Sequence, residues 1–189
     1  MTGLHALIAQ IIKTRSYTLS EKYLMHNALK DYVIAHQDLL TGKCVEVGSF
    51  DANGSIRKIL PDIIGTDMRE GPNVDVVCSA ENLAEHFGKE HFDSMVSLDA
   101  FEHMQNWRGC LTGMWAALKT GGWLVITMAS KHKGRHNYPN DYWRADWEHI
   151  FQIWPDAKDM STFGPSMGWV VRKECDLPDL TKINLIAVP

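Results

Sequence analysis

Apolar positions recur at helical spacing in two N-terminal stretches, residues 4–12 (LHALIAQII) and 20–37 (SEKYLMHNALKDYVIAHQ), and Ser20 stands where a helix cap belongs. The period then changes. KCVEVGSF, residues 43–50, is a short β-branched run ending near Gly48, and the SIRKILP that follows reads as a helix stopped near Pro61. The alternation repeats: DIIGTDM predicts a second strand, VDVVCSA a third, ENLAEHFGKE a connecting helix and FDSMVSLDA a fourth strand. A helix over roughly 107–118, a turn at Gly121 and Gly122, and the strand WLVITMAS come next.

Strands alternating with helices imply a parallel sheet covered on both faces, an α/β architecture of three layers. GWVVRKECD and KINLIAVP, separated by a loop with Pro and Asp, predict a terminal hairpin that adds an antiparallel edge. No internal repeat, low-complexity tract or linker interrupts the chain, so residues 1–189 are expected to form one domain. Its parts would be an N-terminal helical cap (1–40), a core (43–130), a loop region (131–165) and the terminal hairpin (168–189).

The 189 residues suffice for a single sizeable core, with about 70% of the open-chain surface buried on folding. With 19 basic and 23 acidic residues and a net charge of -4, no general electrostatic attraction to nucleic acid or anionic lipid is expected. The four cysteines, Cys44, Cys78, Cys110 and Cys175, lie far apart without a CxxC pair and read as reduced core thiols. The N-terminus lacks a charged leader and a small-residue cleavage site, and no apolar run reaches the roughly 20 residues of a membrane span. A cytoplasmic protein is the expectation.

Chemistry concentrates at strand ends. In VEVGSFDANG, residues 45–54, a strand runs into a small-residue turn where Gly48 permits close approach of a ligand, and Glu46 can accept from an ammonium or hydroxyl. The spacing is neither GxGxxG nor a phosphate loop, which argues against a dinucleotide or nucleoside triphosphate. Asp67 follows about 20 residues later at the end of the second strand, where a carboxylate can hold both hydroxyls of a ribose. Residues 131–147, KHKGRHNYPNDYWRADW, crowd basic, aromatic and polar side chains after the last parallel strand and read as a substrate-facing loop.

The order of these segments resembles the class I S-adenosylmethionine-dependent methyltransferases of the small-molecule-like group. VEVGSFDANGS is similar to that family's first motif, GTDM to its ribose-binding acidic turn, CSAENL to its adenine-side segment, FDSMVSLDAFEHM to its fourth-strand motif and LKTGGWLVI to its turn and fifth strand. Phe50 and Ala52 occupy places often given to Gly, Ser79 stands where an Asp is common, and Thr120 replaces a common Pro. The resemblance implies a Rossmann-like, mostly parallel seven-stranded sheet with a C-terminal antiparallel hairpin and N-terminal helices. It implies S-adenosylmethionine as cofactor and S-adenosylhomocysteine as product. Glu46 would anchor the methionine amino group, Gly48 and Ser49 would line the methionyl part, and Asp67 would take the ribose with Met68 against the adenine. Ser79, Ala80 and Glu81 would flank the adenine edge, and Leu98 and Asp99 would lie beneath the sulfonium.

A small-molecule acceptor methylated at oxygen or nitrogen is the expected substrate, with Tyr138, Tyr142, Trp143 and Arg144 contacting it from the loop. A hydroxyl or protonated amine needs a general base, and His103 and His136 are the candidates. No metal site is expected: His132 and His136 have i,i+4 spacing, but Gly134 opposes a helix and no third ligand is evident. The interleaved aromatics and cations of the loop also suit single-stranded nucleic acid, but a lid over a small acceptor explains them without a polymer. A nucleic-acid methyltransferase and a non-catalytic binding or regulatory protein retaining the fold are the alternatives.

Overall fold

The computed structural model describes residues 21–52, 54–136 and 140–189. The predicted helix over 4–12, the cap Ser20 and the loop residue Tyr138 lie outside the described residues. Helix α1 (Glu21–Ala35) leads through a 3-10 turn to the first strand, β1 (Cys44–Val47). The parallel part continues with β2 (Ile64–Asp67), β3 (Val76–Val77), helix α2 (Leu83–Phe87), β4 (Phe92–Ser97), helix α3 (Trp107–Ala117) and β5 (Leu118–Ala129). The remainder comprises β6 (Trp143–Arg144), helix α4 (Trp147–Ile153), β7 (Lys158–Phe163), β8 (Ser166–Arg172) and β9 (Ile186–Ala187).

The main sheet has seven strands in the order β3-β2-β1-β4-β5-β8-β7, with β8 antiparallel to both neighbours and the rest parallel. Strand β1 is buried along its whole length, as befits an apolar strand covered on both faces. One face packs against α3, α4 and the chain near Leu180–Leu185, through Met95, Leu111, Met114, Ile150 and Trp169. The opposite face takes Tyr32 and Val33 of α1 with Ile56, Ile63, Val125 and Val170. Caps fix two of the helix starts: Asn106 accepts from the Gly109 N–H ahead of α3, and Asp146 closes a capping box with His149 ahead of α4.

Three predicted elements are corrected. SIRKILP forms one turn, with the Ile59 and Leu60 N–H groups both donating to Ile56 O, because Pro61 stops propagation before a nucleated helix gains from it. The antiparallel hairpin is present but lies earlier: β7 and β8, joined at Gly164, form it. KINLIAVP cannot join β8, whose two edges β5 and β7 already fill, so β9 pairs with β6 in a separate two-stranded sheet. The Gly121–Gly122 turn is absorbed into a bulge of β5, with Gly121 at φ 81 and a register shift opposite Phe92–Ser94.

The four thiols are free, three of them buried and Cys175 exposed. Trp107 and Trp115 are buried in the core. Among the described residues no helix is long and apolar enough to cross a membrane.

Candidate functional site

Strands β1 and β4 are central neighbours, and the chain leaves β1 toward β2 on one side but reaches β4 on the other. The loops beyond such a switch point form a crevice at the carboxyl ends of the strands. Here the two loops touch. Gly48 sits at φ 82, and a Cβ on it would run into the Ala100 Cβ beyond β4, so only glycine fits.

Glu46, in β1, is buried, and its Oε2 has no hydrogen-bond partner. Burial pushes its carboxyl up to about 8; Arg57 pulls it down and Asp51 adds to the rise. An orphaned carboxylate oxygen beside a crevice is chemically suited to a cationic donor. Asp67 ends β2 with its Oδ1 accepting from the Arg69 N–H at 2.9 Å and its Oδ2 from the Phe50 N–H at 3.4 Å. A carboxylate has about four acceptor positions, so these bonds fix its orientation and leave room for a diol. Beside it, Met68 is 70% exposed and Val77 is exposed as well, an apolar surface at the ends of β2 and β3.

Other expected cofactor residues divide. The Gly48 and Ser49 N–H groups both donate to Thr66 O, at 2.8 and 3.0 Å, and Ser49 Oγ donates to Asn73 O at 3.1 Å. Ser49 is buried and its hydroxyl braces the loops after β1 and β2. Ser79 accepts from the Glu81 N–H and caps a 3-10 turn, in which Ala80 is buried and Glu81 accepts from Asn106 Nδ2. Leu98 packs on the α1 face. Asp99 adopts φ 43, and its carboxylate accepts from Thr127 Oγ1 at 2.9 Å and Ser166 Oγ at 2.8 Å. A non-glycine residue held in that region by three elements is stored strain at a strand end.

Past Asp99 the polar side chains converge. Lys133 Nζ lies 3.3 Å from Asp99 Oδ2 and 3.6 Å from Glu102 Oε1. Glu102 is fully buried, and neither carboxyl oxygen has a hydrogen-bond partner. Burial drives its carboxyl well above the usual range, with Asp99 adding to the rise and Lys133 opposing it. His103 and His136 stack edge to face with ring centroids 4.9 Å apart, and His136 Nε2 is 3.8 Å from Glu102 Oε1. Both imidazoles are held below the ordinary histidine value, chiefly by burial. Each ring is oriented from behind: His103 Nδ1 bonds Asn140 O, and His136 Nδ1 lies 3.1 Å from Asp141 Oδ2. Asn140 O can only accept, so His103 Nδ1 carries the hydrogen and its Nε2 the lone pair, whereas His136 Nδ1 lies between Asp141 Oδ2 and the Arg144 guanidinium, 3.5 Å away.

The two predicted bases are thus brought together, 33 positions apart in sequence. Arg144 is 3% exposed, and its guanidinium donates to Asp141, Lys133 O, Gly134 O, Trp143 O and His136 Nδ1, so it shapes the loop. Trp143 is half-buried with its indole N–H on Met104 O and Gln105 O, and Tyr142 is half-buried nearby. Spacing did not reveal Glu102, Lys133, Asp141 or Ser166. The Glu-His pair in DAFEH was the one available signal, because the other three depend on how the loop and hairpin fold back.

A family model described as a methyltransferase domain matches residues 37–168. Among solved structures, the chain is similar to Burkholderia thailandensis 1,6-didemethyltoxoflavin-N1-methyltransferase, crystallised with 1,6-didemethyltoxoflavin and S-adenosylhomocysteine. The TM-score is 0.61 at 15% identity, covering 82% of this chain and 80% of that one. It is also similar to a chain in the complex between the Haloferax volcanii Trm112 methyltransferase activator and a methyltransferase, with a TM-score of 0.54 at 12% identity, covering 80% and 93%. Both likenesses are of fold. A search of the curated proteins finds no match.

Proposed function

This chain belongs to the methyltransferase-domain family, and we propose that it transfers a methyl group from S-adenosylmethionine to a small-molecule acceptor at oxygen or nitrogen. The observation that carries the cofactor assignment is the partnerless Glu46 Oε2, buried beside the β1–β4 crevice. It fits the methionine ammonium, while Asp67 fits the ribose diol and the exposed Met68 and Val77 fit the face of an adenine. When bound, S-adenosylmethionine supplies a methyl carbon on positive sulfur: the acceptor's lone pair forms the new bond as the carbon–sulfur bond breaks, and that electron pair stays on sulfur.

The chain's own residues do the rest. Gly48 lets the loops after β1 and β4 approach closely, where a side chain would run into Ala100. Positioning supplies much of the rate in such a displacement. The acceptor's proton passes to a ring nitrogen of the His103–His136 pair, which Asn140, Asp141 and Arg144 position. In this reading the whole chain is one domain, residues 43–130 serving the cofactor and 131–165 the acceptor.

The loop's cations favour a small acceptor over a polymer. Lys133 and Arg144 are turned into the buried network, Lys131 pairs with Asp146 at 3.3 Å, and Arg135 donates to Pro189 O. They present little of the basic surface that phosphate backbones need.

Calorimetric titration with S-adenosylmethionine and S-adenosylhomocysteine, with NAD as control, tests the cofactor. Micromolar binding of both sulfur ligands, absent for NAD and weakened at least tenfold by Asp67→Asn, is expected. No binding of either sulfur ligand would overturn the reading.

A further inference from the structure

The inner end of the acceptor loop contains an arrangement that proton transfer alone does not explain. Glu102, His103 and His136 each offer one ligand atom, and these atoms all lie within 4.8 Å of one another. What converges there is a set of ligand atoms. His103 has its Nδ1 on Asn140 O and its Nε2 free for a ligand, and His136 presents Nε2 3.8 Å from Glu102 Oε1. Glu102 faces them with two buried oxygens that meet no hydrogen-bond donor. A buried carboxylate without a hydrogen bond is costly unless something positive stands beside it.

Lys133 does not fill that role. Its Nζ is nearer to Asp99 Oδ2, at 3.3 Å, than to Glu102 Oε1, at 3.6 Å, and it also contacts Ser166 Oγ at 3.5 Å. Arg144 is committed to Asp141 through two short bonds. Three carboxylates, Asp99, Glu102 and Asp141, therefore share two cationic side chains.

We infer that Glu102, His103 and His136 form a binding site for a divalent first-row transition cation of the Zn2+ or Mn2+ kind. Two imidazoles and one carboxylate are a donor set for such ions rather than for Ca2+ or Mg2+, which take oxygen ligands. Ligands about 2.0–2.2 Å from one ion lie about 3–4 Å apart, so a sub-ångström contraction of the cluster closes it. The support behind the ligands is the kind metal sites use: a backbone carbonyl fixes the tautomer of His103, and Asp141 with Arg144 holds the ring of His136 in place. Three protein ligands leave positions open toward the crevice. In the loaded form the ion acidifies an acceptor hydroxyl by direct coordination, in place of the free imidazoles. That use rests on the methyl-transfer reading; binding of the ion does not.

The test uses the full chain, stripped with chelator and titrated calorimetrically with Zn2+ and, separately, Mn2+, alongside S-adenosylmethionine on the same samples. One-to-one binding of at least one ion is expected, weakened at least tenfold by His103→Ala and by His136→Ala and unchanged by His132→Ala. Cobalt substitution should give ligand-field absorption that both alanine variants lose. Binding of neither ion, or binding indifferent to both variants, would overturn the site, leaving a proton on Glu102 as the balancing charge. A metal site without S-adenosylmethionine affinity would sink only the methyl-transfer reading.

Discussion

Asp141 and Arg144 hold each other in a bidentate pair, Oδ1 to Nη1 at 2.5 Å and Oδ2 to Nη2 at 2.6 Å, with both side chains almost out of water. Burial raises the Asp141 carboxyl, but hydrogen bonds from Arg144 and from the His136 N–H outweigh it and hold the group at about 2. The pair also shapes the loop after β5, since Asp141 accepts from the His136 N–H while Arg144 gathers the carbonyls of Lys133 and Gly134.

Removing one partner leaves the other charge buried and alone. Asp141→Ala is expected to lower folding stability by about 3–5 kcal/mol, read by urea unfolding at pH 7. Because the folded value lies below the ordinary 3.8, the pair's contribution is complete above that pH and fades as pH falls toward 2. The variant's deficit should therefore shrink in acid; a deficit unchanged down to pH 2.5 would contradict the assignment.

The parts of this protein that local pattern governs were legible in the sequence. Apolar and β-branched runs marked β1, β2, β4 and β5, with Glu46 and Gly48 at the end of the first and Asp67 at the end of the second. Long-range pairing was less accessible. KDMSTF looks polar because β7 is an edge strand with one half-covered face, so its partnership with β8 was missed in favour of the more apolar KINLIAVP. The acceptor cluster was half legible: His103 and His136 carry their chemistry in their identity. The roles of Glu102, Lys133 and Ser166 exist only once three separate segments fold onto Asp99.

On the proposed reading, Glu46 makes cofactor binding proton-linked. Its raised value means the folded protein holds a proton there from the ordinary 4.5 up to about 8, so its contribution to stability falls as pH rises through that window. An ammonium seated beside it favours the carboxylate, and binding near pH 7 should release up to one proton. Titrations in buffers of different ionisation enthalpy will show this as a buffer-dependent heat. Glu46→Gln should remove that dependence and weaken S-adenosylmethionine; a heat independent of buffer in the unaltered protein would refute the link.

The histidines should affect turnover and not cofactor binding. With an acceptor in hand, His103→Ala and His136→Ala are each expected to lower single-turnover rates by about 10²–10⁴-fold. S-adenosylmethionine affinity should stay within about twofold, since Glu46 and Asp67 lie on other strands. Near-normal rates in both variants would leave transfer to positioning alone. An equal loss of cofactor affinity would instead indicate that the loop collapses without the ring pair.

Two glycines with positive φ separate backbone strain from close approach. Gly48 and Gly164 sit at φ 82 and 58, but a Cβ at Gly164 meets nothing within 4 Å, whereas at Gly48 it collides with Ala100. Gly164→Ala should cost about 1–2 kcal/mol, the left-handed penalty alone. Gly48→Ala must add the displacement of one loop from the other at the mouth of the crevice, so it should cost measurably more and weaken S-adenosylmethionine at least tenfold. Thermal melts and titrations of the two variants decide it: equal costs with unchanged affinity would mean that the loops part freely and that their contact does not shape the site.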